Sequence, residues 1–149
     1  MPVRRTVLAC ALAALLLPAA LRADPALFNA PGGAALGGHD PVAYFTEGRA
    51  VPGDPEHALM WKGAEWHFSS AANREAFEAD PFAYAPKYGG YCAYAMSRGY
   101  VAPGDPSAWH IEDGALYLNY NRDVRALWAS EMAARIDNAD AHWPDALRE

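Results

Sequence analysis

The stretch Leu59-Met-Trp-Lys-Gly-Ala-Glu-Trp-His-Phe-Ser-Ser-Ala-Ala-Asn-Arg-Glu-Ala-Phe77 decides the fold class. Lys62-Gly63 separates two apolar-rich runs, Leu59–Trp61 and Glu65–Phe68, and this reads as a β-hairpin. Strand alternation puts Trp66 and Phe68 on one face and His67 on the other. Ser69 or Ser70 then offers a side-chain oxygen to the free N–H groups of a helix over Ala71–Ala79. The local unit is therefore strand, turn, strand, cap, helix.

The same unit recurs downstream. Trp109–Ile111 and Ala115–Leu118 flank the turn Glu112-Asp-Gly114, and Asn121 caps one long last helix. Val124, Leu127, Trp128, Met132 and Ile136 fall at helical spacing on it. Pro52-Gly-Asp-Pro55 matches Pro103-Gly-Asp-Pro106 at an offset of 51 residues. At that offset Gly63-Ala64 meets Gly114-Ala115, Trp66 meets Tyr117, Ser70 meets Asn121 and Phe77 meets Trp128. A period near 50 invites a duplication reading. Turn and cap chemistry also favours Gly, Asp and Pro at such places, so both explanations stay open. The expected fold is α+β: a small domain of two β-hairpin–helix units, a pseudo-duplicated ββα arrangement on the duplication reading, with the halves packed face to face. Between the units, Asp80-Pro81 opens a further helical turn ending before Pro86, and Gly89-Gly90 breaks the chain. Pro144 stops the last helix.

The 149 residues suit one domain. Hydrophobic residues at 52% and charged residues at 20% indicate a globular chain, not a disordered one. A net charge of −6 without a Lys/Arg run argues against nucleic-acid and anionic-membrane partners. Arg4-Arg5 followed by the apolar run Val7–Leu21 reads as an export signal over 1–23, cleaved after Ala23. Arg4-Arg5 also resembles a twin-arginine signal. The run is too short for a comfortable membrane span, which needs about 20 residues, so none is expected in the mature form. Loss of the leader removes Arg4, Arg5, Arg22 and Cys10. It leaves nine basic against eighteen acidic residues, a net charge of −9, and Cys92 as the sole thiol. Internal disulfides and multi-cysteine metal sites are thereby excluded. Residues 24–38 read as a flexible linker, 39–144 as the domain and 145–149 as a tail. The expected location is periplasmic or secreted.

Several motifs together resemble the YHS-domain family, in its exported single-domain (TRASH/YHS-like) branch. They are Gly38-His-Asp-Pro-Val-Ala-Tyr-Phe45, Trp66-His-Phe-Ser-Ser70, Asn73-Arg-Glu-Ala-Phe77, Asp80-Pro-Phe-Ala-Tyr84 and Lys87-Tyr-Gly-Gly-Tyr-Cys-Ala-Tyr94. The resemblance extends through Leu116-Tyr-Leu-Asn119 to His142-Trp-Pro144 and implies association with a metal. Members with cysteine ligands carry thiols after the Asp-Pro-Val turn and around the Phe-Ser step. Here Ala43, Ser69 and Asn73 occupy those neighbourhoods.

Soft ligands nevertheless remain. Cys92 and Met96 are spaced i, i+4 and would share a helix face, and a thiolate with a thioether suits Cu(I). His67 could complete a copper site with them. The plainer reading makes Cys92 and Met96 core residues. His39 reads as a turn residue, His57 and His142 as surface residues, and His110 as a weak candidate. Tyr84, Tyr88, Tyr91, Tyr94 and Tyr100 surround Gly89-Gly90 and read as core, or as the lining of a small-ligand pocket. Ser69 and His67 share a strand face, as a nucleophile and base would, but no orienting acid stands beside them. The expected function is non-enzymatic binding of a metal ion, copper first, or of a small ligand. The alternative is a structural or protein-interaction module that has lost the family's metal site.

Overall fold

The structure is a computed structural model and describes residues 26–148. The expected leader, with Cys10 and the paired arginines, lies outside the described residues. The fold is α+β, with two antiparallel hairpins, each followed by helices. The first hairpin joins β1 (Asp54–Trp61) to β2 (Ala64–Phe68) and leads into α2 (Ala71–Ala79). The second joins β3 (Asp105–Glu112) to β4 (Ala115–Asn119) and leads into α5 (Arg122–Ser130). Short helical turns α1 (Ala43–Thr46), α3 (Pro81–Tyr84) and α4 (Ala93–Met96) and a last helix α6 (Met132–His142) complete the order.

The two hairpins repeat each other in detail. Both loop residues have positive φ in each, at Lys62 and Gly63 and at Asp113 and Gly114, as a two-residue type I′ turn requires. Asp54 pairs with Phe68 and Asp105 with Asn119, and the register then shifts before Ala58 and before Trp109. At each bulge an aspartate accepts a backbone N–H two residues on: Glu56 to Asp54 at 2.9 Å, and Ser107 to Asp105 at 2.8 Å. Both strands thus begin inside the Pro-Gly-Asp-Pro segments, earlier than apolar content alone placed them. Ser70 caps α2 by accepting from Asn73 N–H, and Asn121 caps α5 by accepting from Val124 N–H.

The hydrophobic interior forms two clusters. The first gathers Val42, Tyr44, Trp66, Phe68 and Phe77 with Leu116 and Leu118 from the other hairpin. The second gathers Tyr88, Met96, Tyr117, Trp128 and Ala139. β4 therefore feeds both, Leu116 and Leu118 to one side and Tyr117 to the other, and β2 buries only Ala64, Trp66 and Phe68.

Three expectations are corrected. The last helix is two helices, broken at Glu131, whose φ of −134° leaves the helical region. The break re-aims Met132, Ile136 and Ala139 onto the second cluster, where a straight helix would carry them past it. Residues 26–38 are no loose linker: Phe28, Ala35 and Leu36 are buried in the first cluster. The expected tail is packed as far as Arg148, through a 3-10 turn at Asp145–Arg148 that buries Ala146 and Leu147.

Candidate functional site

Three segments, Gly38–Phe45, Trp66–Ser70 and Asn73–Phe77, converge on one buried carboxylate. Asp40 has no exposed surface. Its Oδ1 accepts the Val42 N–H at 2.8 Å and the Ala43 N–H at 3.4 Å. Its Oδ2 accepts the Ser69 N–H and the Ser69 hydroxyl, each at 2.8 Å, and the Asn73 side-chain amide at 2.7 Å. The local cause is an Asx turn at Asp40-Pro41 that opens α1. The long-range cause is the end of β2, which delivers Ser69, and the first turn of α2, which delivers Asn73. No cation faces the carboxylate among these contacts. Five donors of the chain itself satisfy its two oxygens. Ser69 and Asn73 thus serve a lock that ties the first loop to the hairpin and helix.

Cys92 occupies the corresponding place in the second half. It is buried and caps α4, with its sulfur 3.5 Å from the Ala95 N–H. Its thiol points to Asn119 Oδ1 at 3.8 Å, and the same oxygen accepts the Tyr94 N–H at 3.1 Å. Met96 lies one turn on, fully buried in the second cluster. His67 stands on β2, paired in register with Ala58, and its Nε2 meets Glu65 Oε1 at 2.5 Å. Cys92 and Met96 thus share the turn of α4, and His67 lies on the first hairpin with its own carboxylate partner. Among the described residues no three His, Cys, Asp or Glu side chains are grouped to hold a metal ion.

The other candidates have separate duties. His39 Nδ1 lies 3.1 Å from the Leu36 carbonyl oxygen, and His110 pairs with Glu112 at 3.0 Å. His142 packs beside Gly99. The Ser69 hydroxyl is directed to Asp40 and the His67 ring to Glu65, so the two are not hydrogen-bonded as nucleophile and base. Ser70, not Ser69, is the helix cap. The tyrosines do not form one lining. Tyr88 donates to Asp140 at 2.8 Å and Tyr91 to the Ala26 carbonyl at 2.5 Å, while Tyr84 stacks edge-on against Phe45. Burial raises the Tyr88 phenol pKa, and the Asp140 carboxylate it donates to raises it further. Tyr100 is half exposed.

A cleft of about 230 Å³ opens beside this aromatic region. Trp61, Phe82, Tyr88 and Trp143 supply its apolar walls, and Lys62 and Lys87 reach it from two sides. Gly89 shapes its floor. A Cβ there would overlap the Leu27 carbonyl and lie 3.1 Å from the Trp143 ring, so only glycine lets these segments close together. Sequence reasoning found Gly89 and Tyr88 but missed Trp61, Phe82 and Trp143, which lie far apart in the chain. Comparisons with protein-family models, with curated proteins and with solved structures find no match in any of the three.

Proposed function

We propose that the protein is an exported, YHS-like binding module that works without a metal ion and without transforming its ligand. The Asp40 lock carries this reading. Ser69 and Asn73, in the neighbourhoods where thiolate ligands would stand, spend their donors on a buried carboxylate. A metal ion there would have to break that network, and a buried charge left without partners is strongly unfavourable. The separate duties of His67 and Cys92 support the same conclusion.

The test is metal content and metal titration of protein purified without a histidine tag. The expected outcome is no stoichiometric binding of Cu(I), Cu(II), Zn(II) or Ni(II). Tight copper at one equivalent, lost in both Cys92→Ser and His67→Ala, would overturn the reading. It would establish a site at His67, Cys92 and Met96 instead.

A further inference from the structure

The chain contains only two lysines, Lys62 and Lys87. They are separated by a hairpin strand, a helix and a helical turn, yet both line the same aromatic cleft. Lys62 sits at the tip of the first hairpin, and its Nζ lies 5.2 Å from the Trp61 ring centre and 4.6 Å from that of Phe82. Lys87 Nζ lies 5.9 Å from the Tyr88 ring centre and 3.9 Å from Asp140. Phe82 is 73% exposed and Trp61 is only partly buried. The cleft therefore brings partly exposed aromatic rings next to ammonium groups on a chain of net negative charge.

From this juxtaposition we propose that the cleft binds a small aryl carboxylate, a flat aromatic body bearing one anionic group. The rings of Trp61, Phe82 and Trp143 offer faces and edges to a planar body. The ammonium groups supply strong donors to its carboxylate. Elsewhere the excess of acidic residues repels an anion, so the cleft is also where the field directs one. Asp140 already offsets part of the charge of Lys87, so Lys62 is the dominant contact. The inference rests on the reading of the protein as a metal-free binding module and names the ligand of that module.

The experiment is titration of the purified protein with 2-naphthoate and indole-3-acetate, followed by indole N–H shifts in NMR spectra, with 2-naphthalenemethanol as the neutral control. The expected result is saturable binding of the carboxylates that moves the Trp61 and Trp143 signals. Lys62→Met should weaken it about fivefold, with a smaller loss for Lys87→Met. Phe82→Ala should weaken carboxylate and alcohol alike, and the lysine variants should leave the alcohol unchanged. Both lysine variants are at exposed positions, and an unchanged spectrum away from the cleft verifies their fold. Equal binding of acid and alcohol, insensitive to the lysines, would overturn the anionic assignment. No saturable binding at millimolar concentrations would overturn the ligand class and leave the metal-free reading standing on its own titration. Binding only after copper is added would overturn both.

Discussion

Asp40 shows how one residue changes meaning between the chain and the fold. In the sequence Asp40-Pro41 is a turn signal, and that role is real, through the Val42 and Ala43 N–H groups. Its second role depends on Ser69 and Asn73, which are 29 and 33 residues away. No local rule pairs these three. Asp40→Ala should destabilise the protein by about 3 kcal/mol or more, because several buried donors lose their acceptor together. Urea unfolding of the variant measures this, and a loss below about 1 kcal/mol would mean water replaces the carboxylate at no great cost. In a double-mutant cycle, Asp40 and Asn73 should show a coupling of about 1 kcal/mol or more.

At the scale of elements, the hairpins were legible and their bulges were not. The Gly-containing loops and the alternation of Trp66, His67 and Phe68 fixed turn and facing. The bulges lie between Asp54 and Ala58 and between Asp105 and Trp109, just after Gly53 and Gly104, which run close against the opposite strand. A Cβ on Gly53 would lie 2.5 Å from the His67 carbonyl carbon and 2.6 Å from its Cβ. One on Gly104 would overlap the Gly90 carbonyl and lie 2.9 Å from the Leu118 Cβ. His67 and Leu118 are themselves 51 positions apart, so the same close approach is built twice. Gly53→Ala and Gly104→Ala should each cost at least about 2 kcal/mol. Gly114→Ala, whose Cβ meets nothing within 4 Å, should cost only about 1 kcal/mol for its positive φ. The ordering is read from the midpoints of urea unfolding curves. The helix caps make a second comparison. Ser70→Ala and Asn121→Ala should each lose about 1 kcal/mol. As the caps start different helices in different halves, the losses should add in the double variant. The break at Glu131 was hidden from the sequence because Leu127, Trp128, Met132 and Ile136 keep helical spacing across it. A periodic pattern does not reveal which of its apolar residues the core will take, and Leu127 is left 56% exposed.

Over the whole molecule, the halves are joined by a buried tyrosine as well as by β4. Tyr44 in the first half donates to the Pro106 carbonyl at 2.8 Å in the second. Burial raises its phenol pKa, and the charges of Asp105 and Asp40 raise it further. The Tyr88, Tyr91 and Tyr117 phenols are raised too, chiefly by burial. Below the ordinary phenol pKa of about 10, folded and unfolded chains both keep these protons, so their contribution is fully present. Above it the unfolded chain releases protons that the folded chain retains, and stability falls as pH rises. The slope approaches about 1.4 kcal/mol per pH unit for each such tyrosine. Urea unfolding measured across the alkaline range should show this decline, and Tyr44→Phe should make it shallower. An unchanged slope in that variant would exclude Tyr44 from the effect.

The sequence by itself determined the α+β class, both hairpins, the helix over Ala71–Ala79 and the cap at Asn121, and it left the first cap to Ser69 or Ser70. These follow from neighbours within a few residues, where φ restrictions, side-chain alternation and free helix-end N–H groups act directly. The tertiary structure alone decided that Asp40 meets Ser69 and Asn73, that His67 pairs with Glu65 on the first hairpin while Cys92 caps α4, and that residues 26–38 pack into the core. It also decided that the chain's two lysines meet at one aromatic cleft. Each of those depends on which buried surfaces face each other once the hairpins pack. That choice is made by apolar area and by hydrogen-bond satisfaction across long stretches of chain, which local spacing does not encode.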